Sequence, residues 1–298
     1  MCIRDSVNGI LKQTFTDIDF ANQNFATDLG NIGWGNASEY SDMQFDEYRV
    51  WHTALSQAEL RDWMTKKINS SHPQLSDLAI YYRFDENTGT ELSDLAGGNS
   101  GTLTNGPTWV LSGAALGDES VNSYAGTSLS IQETNGDSIL INNYNGQLDG
   151  IHLYVVNETP NSTTYSGAES ADTNYYFGVF KIGNDTTSYD VTYNYANSAI
   201  LTGSSNEYRV SLATRENNAE GSWLSKWSDG VTDTNAKSVF LPNQTGTEYS
   251  GAIQANNALS FDGSNDYVRI DDHTDLSLSD GAFTIEFWAQ ATNNQTWV

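Results

Sequence analysis

Asp94, Asn99 and the backbone carbonyls of residues 96–100 make the best local set of oxygen donors in this sequence, in a loop rich in glycine. Asp46, just ahead of the run Tyr48-Arg49-Val50-Trp51, could complete the set, and Asp85 is a further option. Ca2+ takes about six to eight oxygens from carboxylates, amides and backbone carbonyls, so this pattern suits a calcium ion. The same residues equally suit Asx turns, in which Asp and Asn side chains bond their own backbone two residues on. Asp262 and Asp266 raise the same question. There a hairpin turn at Asp262-Gly263, between Leu259–Phe261 and Tyr267–Ile270, is the stronger reading.

Aromatic rings are the second chemical resource. A sugar-binding surface needs exposed rings to stack on pyranose faces, beside polar groups for the hydroxyls. Of the eight tryptophans, Trp34, Trp109, Trp223 and Trp227 sit in polar, glycine-bearing contexts and are the candidates for ligand contact. Trp51 and Trp288 end well-patterned strands and read as packing residues. Catalysis finds little support. A glycosidase needs two carboxylates flanking the scissile bond, but Asp46-Glu47 and Asp85-Glu86 are adjacent and point to opposite faces of an extended chain. No nucleophile elbow, zinc-protease helix or phosphate-binding glycine loop is present. His52, His72, His152 and His273 are scattered. The chain therefore reads as non-enzymatic.

Composition narrows the partners. The 298 residues carry 38 acidic against 13 basic side chains, a net charge of −25. Phosphate contacts need Lys and Arg, which argues against nucleic acid as a partner, and an anionic membrane surface would repel the chain. No run approaches the roughly 18 consecutive apolar residues of a membrane span, so no membrane insertion is expected. Divalent cations, a saline habitat or plain solubility are the positive reasons for such acidity. Cys2 is the one cysteine, so an intrachain disulfide is impossible. Met1 to Ser6 resemble the translation of a sequencing adapter, so residues 1–6 are set aside as an artefact.

The elements that must position these groups are β-strands. Sixteen tyrosines and short Val-, Ile- and Thr-bearing runs between Gly/Asn/Asp/Ser clusters predict an all-β protein built as an antiparallel β-sandwich. Strands are expected at 138–141, 150–156, 175–182, 189–195, 207–213 and 238–241. Asn8-Gly9 suits a type I′ hairpin, and Asn145-Gly146, Asp149-Gly150 and Gly183-Asn184-Asp185 read as turns. One short helix is expected at 57–67. Ser56 and Glu59 have the spacing of a capping box, and Leu55 and Leu60 that of a hydrophobic staple.

Several stretches carry a family resemblance. Val7-Asn8-Gly9, Ile32-Gly33-Trp34, Asp46-Glu47-Tyr48-Arg49-Val50-Trp51 and Ala54-Leu55-Ser56 resemble the closing half of a laminin G-like, concanavalin A-type jelly-roll module. Ala258–Val268 and Phe283–Trp288 resemble the opening half. Leu78–Val110 is similar to an internal segment of such modules. The order, closing half first, implies a piece of a longer array: residues 7–115 from one jelly roll, 116–252 an intervening β-sandwich, and 253–298 the start of a second jelly roll. The intervening region resembles sandwiches in large surface proteins of Bacteroidetes-type bacteria. The resemblance implies an extracellular or cell-surface protein that binds glycans or surface proteins, often with a structural calcium ion. An architectural spacer or adhesin, or the accessory region of a secreted hydrolase, are the alternative readings.

Overall fold

The computed structural model describes residues 3–15, 29–30, 40–144, 148–183, 186–203, 205–271, 284, 286–287 and 289, and these are mostly β-strand with one short α-helix. The chain divides into two units, Met1–Asn256 and Asn257–Val298.

The first unit opens with a hairpin of β1 (Ile3–Val7) and β2 (Ile10–Phe15). Asn8 and Gly9 take φ of 51° and 71°, the left-handed pair that a type I′ turn requires. Next come β3 (Tyr48–Trp51), α1 (Gln57–Trp63) and β4 (Leu78–Tyr82), with β3 and β4 antiparallel. The short strands β5 (Glu91–Leu92) and β6 (Gly101–Thr102) form another pair.

Helix α1 starts as its sequence demands. Ser56 accepts the Glu59 N–H at 3.2 Å, and the Glu59 carboxylate accepts the Ser56 N–H at 2.7 Å. It stops at Trp63 rather than at the expected residue 67. Arg49 captures the carbonyls at that end, with Nη1 donating to Trp63 at 2.8 Å and Nη2 to Lys66 at 2.9 Å. Glu47 in turn accepts from Arg49 at 2.5 Å and from the Tyr81 hydroxyl at 2.6 Å. The phrase from Asp46 to Trp51 thus fastens the helix to the β3–β4 pair.

Thirteen strands follow: β7 (Glu119–Ser123), β8 (Ser128–Gln132), β9 (Ser138–Asn142), β10 (Leu148–Val156), β11 (Tyr165–Ser166), β12 (Ala168–Ala171), β13 (Tyr176–Gly183), β14 (Tyr189–Asn194), β15 (Val210–Arg215), β16 (Trp223–Ser225), β17 (Val231–Asp233), β18 (Ser238–Gln244) and β19 (Glu248–Gln254). The larger sheet runs β11-β16-β15-β19-β13-β10-β7, with β12 also on β19. The smaller runs β17-β18-β14-β9-β8. Apart from the parallel β11–β16 contact the pairings are antiparallel.

Alternation places the core. Ile139, Ile141, Val191, Tyr193, Val239 and Leu241 of the smaller sheet meet Ile151, Leu153, Phe177, Val179 and Leu212 of the larger. Each such aliphatic or aromatic side chain contributes about 1.5–3 kcal/mol by leaving water. The larger sheet is apolar on its outer face as well, where Tyr154, Val156, Tyr176, Ala213, Trp223 and Ala252 are buried together. That face is covered in part by Ala115 and by the β11–β12 region. The stretch after α1 joins the sandwich at a seam. Lys67 N–H donates to the Gly117 carbonyl at 2.9 Å and Gly117 N–H to that of Thr65 at 3.0 Å. Lys67 Nζ lies 3.0 Å from Asp118 and 2.7 Å from Glu158.

Some expectations differ. Asp149-Gly150 lies inside β10 rather than in a turn. Gly150 is needed there because a Cβ would stand 2.6 Å from the Tyr124 ring. Residues 207–209 form a 3-10 turn ahead of β15. Asn145-Gly146 and Asn184-Asp185 fall outside the described residues. In the second unit, Gly263 takes φ of 82° and Ser264 N–H donates to Asp262 at 2.8 Å, the expected turn. The flanking residues 257–271 form no strand, and Leu259, Tyr267, Val268 and Ile270 stay exposed. So short a segment offers too little apolar surface to build its own core.

Candidate functional site

The Asp94 loop is tied up by its own backbone. Oδ1 accepts the N–H groups of Tyr81 and Ala96, both at 2.9 Å. Oδ2 accepts those of Gly97 at 3.2 Å and Asn99 at 2.9 Å. An ionised carboxylate offers about four lone-pair positions, and here all are filled. Burial pushes the Asp94 pKa up, but the N–H donors together outweigh it and hold the group below the ordinary carboxylate range. Asn99 is engaged too, its side-chain amide 3.4 Å from the Ala79 carbonyl and its own carbonyl accepting from the Tyr82 hydroxyl. Asp46 accepts from Ser112 Oγ. A calcium ion would have to displace N–H donors from both oxygens of Asp94. The turn-forming alternative therefore describes Asp94 better than the ion expected for it. Asp85 pairs with Arg83 at 2.8 Å, and its pKa is pushed up by burial against the pull of that guanidinium. Among the described residues no three His, Cys, Asp or Glu side chains converge as metal ligands.

The tryptophan candidates separate. Trp34 lies outside the described residues. Trp223 is 0% exposed, which corrects its assignment as a ligand platform. The Tyr165 ring lies parallel to it at 5.5 Å, the Arg215 guanidinium stands 4.2 Å from its centroid, and Nε1 donates to the Ser162 carbonyl at 3.0 Å. Trp109 is half-buried, its Nε1 3.3 Å from the Gly89 carbonyl in the loop after β4. Trp227 remains 39% exposed, on a 3-10 turn spanning Trp227–Asp229 that leads into β17.

Around Trp227 the sequence reading missed two aromatics. Strand β17 is the edge of the smaller sheet. Val231 stands directly opposite Phe240 of β18, and both face outward because Val239 and Leu241 point into the core. Tyr208 sits on the 3-10 turn before β15, which adjoins β17. Tyr208, Trp227, Val231 and Phe240 are all exposed and occupy neighbouring elements at one edge of the sandwich. Polar groups accompany them: Lys226 lies 3.5 Å from Asp229, and Asp233 accepts the Asn235 N–H at 2.9 Å. Such an edge can stack on an apolar ring face and bond hydroxyls. The signal for Phe240 was present in the alternation Val239-Phe240-Leu241, which puts an aromatic on the solvent side.

An open groove of about 1140 Å3 lies elsewhere in the first unit, walled by Val50, Trp51, Leu55, Leu60, Trp63 and Phe180. Its acids are already engaged: Asp46 with Ser112, Glu47 with Arg49 and Tyr81, and Glu59 with Ser56. His72, on the same wall, lies between the rings of Trp51 at 4.3 Å and Trp63 at 4.6 Å, and its Nδ1 accepts the Gln74 N–H at 3.1 Å. Burial and Arg49 hold its pKa down. His52 is exposed and His273 lies outside the described residues.

No family model matches the chain, and no curated protein or solved structure is significantly similar to it. Among the described residues no helix is long and apolar enough to cross a membrane.

Proposed function

We propose that the chain is a non-catalytic binding region of an extracellular, multi-module protein, with glycans as its ligands. The observation that carries this reading is Trp227, exposed at the open edge of the smaller sheet with Tyr208 and Phe240 on neighbouring elements. Aromatic rings offer flat apolar area with little conformational freedom to lose, which suits the apolar faces of pyranoses. Asp229 follows Trp227 on the same turn, paired with Lys226, and Asp233 ends β17, where it accepts the Asn235 and Ala236 N–H groups. The laminin G-like character of residues 7–115 and 253–298 belongs to the same proposal and is the basis for placing the protein outside the cell. No calcium is required at the Asp94 loop. A glycan array probed with the full chain tests the reading: binding that Trp227→Ala abolishes supports it, and a blank array removes it.

A second reading, an architectural spacer that binds other proteins, draws on the seam between the α1 stretch and the sandwich. Backbone bonds at Thr65–Gly117 and the Lys67 ion pairs with Asp118 and Glu158 suit a region that carries its neighbours at a fixed angle. A blank glycan array together with retained protein partners would favour it.

A further inference from the structure

We infer that His152 is a proton-sensitive latch that holds α1 and Thr65 on the outer face of the larger sheet, and that acidification opens it. His152 projects from the outward side of β10, yet it is 0% exposed because the α1 stretch lies over it. Its Nδ1 is 3.0 Å from Thr65 Oγ1 and its Nε2 is 3.0 Å from the Tyr124 hydroxyl. That hydroxyl also lies 3.0 Å from the Asn8 carbonyl in the β1–β2 turn.

One neutral tautomer satisfies the whole chain of bonds. The Asn8 carbonyl accepts only, so Tyr124 donates to it and takes the N–H of Nε2, while the Thr65 hydroxyl donates to Nδ1. The tautomer follows from this network. A second proton on Nδ1 reverses that bond: the Thr65 hydroxyl must turn to accept, and its own hydrogen then needs another acceptor.

The surrounding charges favour the neutral ring. From α1, Arg61 places its guanidinium 3.5 Å from the Tyr124 ring centroid and donates to the Gly9 carbonyl at 3.0 Å. An imidazolium would meet that positive charge. Asp62 opposes it, but its Oδ1 is shared with the side-chain amide of Asn122, at 2.8 Å. Asn122 stands opposite His152 on β7, and Phe180 opposite it on β13 with its ring 6.2 Å away. Burial first, then Arg61, pushes the His152 pKa down from 6.5 to about 4, with Asp62 pulling the other way.

The closed seam consequently binds fewer protons than the open one between those values. The contribution of the neutral ring to closure is fully present above about pH 6.5 and is lost as pH falls towards 4. If the whole shift belongs to the seam, the closing equilibrium falls on the order of a hundredfold across that interval.

Hydrogen exchange on the full chain at pH 7.5 and 4.5, corrected for intrinsic rates, tests the latch. In the wild type, peptides covering 57–67 should lose roughly a hundredfold in protection, while those covering β14 and β18 keep theirs. His152→Asn should remove the step, and His72→Asn should keep it. Unchanged protection of 57–67 at pH 4.5, or a step that persists in His152→Asn, overturns the inference. Should that variant fail to fold, NMR titration of the wild type decides. The His152 ring must titrate well below 6.5 together with the α1 amides, and an ordinary titration overturns the latch.

Discussion

Arg215 and Glu248 stand directly opposite each other on β15 and β19, with Nε 2.6 Å from Oε2 and side chains 0% and 1% exposed. Asn161 and Asn218 take the remaining Arg215 nitrogens at 2.5 and 2.7 Å, and the other Glu248 oxygen accepts from Tyr154 at 3.1 Å. A buried ion pair costs desolvation, and only such complete bonding offsets it. Trp223 closes this network from one side.

Removing one partner should be expensive. Glu248→Leu leaves the guanidinium buried without its counter-charge and should cost about 3–5 kcal/mol in urea unfolding. Arg215→Met combined with Glu248→Leu should recover most of the loss. A single-variant loss below about 1 kcal/mol would show that water reaches the pair.

Trp223 and Trp227 should part company under mutation. Trp223→Ala opens a cavity in the outer-face cluster and should cost about 3–5 kcal/mol. Trp227→Ala, at an exposed turn, should cost less than about 1 kcal/mol. Thermal and urea melts of the two variants compare them directly, and equal losses would deny Trp227 its surface role.

These contrasts mark what the sequence could convey. Local rules worked where the partners are local: the Ser56–Glu59 capping box, the Asn8-Gly9 turn, and the alternation of β9 and β14. The helix end was misplaced because Arg49, far back in the chain, takes the carbonyls that would have continued it. Trp223-Leu224-Ser225 is too short for a period to declare itself, so a polar neighbourhood disguised a core residue. Asp94 looked like a metal ligand because one of its donors, the Tyr81 N–H, lies on a preceding strand. The contacts of His152 with Thr65 and Tyr124 exist only after folding brings distant segments together.

The Asp94 loop gives a pH prediction with a definite sign. Its carboxylate sits below the ordinary value of 3.8, so the bonds it accepts stabilise fully above that pH and are lost as pH falls through the folded value. Asp94→Ala should cost about 1–3 kcal/mol at neutral pH, and the gap from wild type should close in strong acid. EDTA should leave the melting temperature unchanged. A fall in melting temperature on chelation, reversed by calcium, would restore the metal reading.

Helix α1 has seven residues and depends on its cap. Ser56→Ala should cost about 1 kcal/mol, read as a lower urea midpoint and faster exchange of the 57–63 amides. A change within error would mean that Arg49 alone holds the helix.

Affinity electrophoresis of the full chain and its Trp227→Ala variant through gels containing soluble polysaccharides tests the proposed function most directly. At least one polysaccharide should retard the wild type, and the variant, with an unchanged melting profile, should migrate as in an empty gel. Equal retardation of the two proteins would contradict the placement of the binding site at the β17 edge. A wild type that no polysaccharide retards would contradict glycan binding itself.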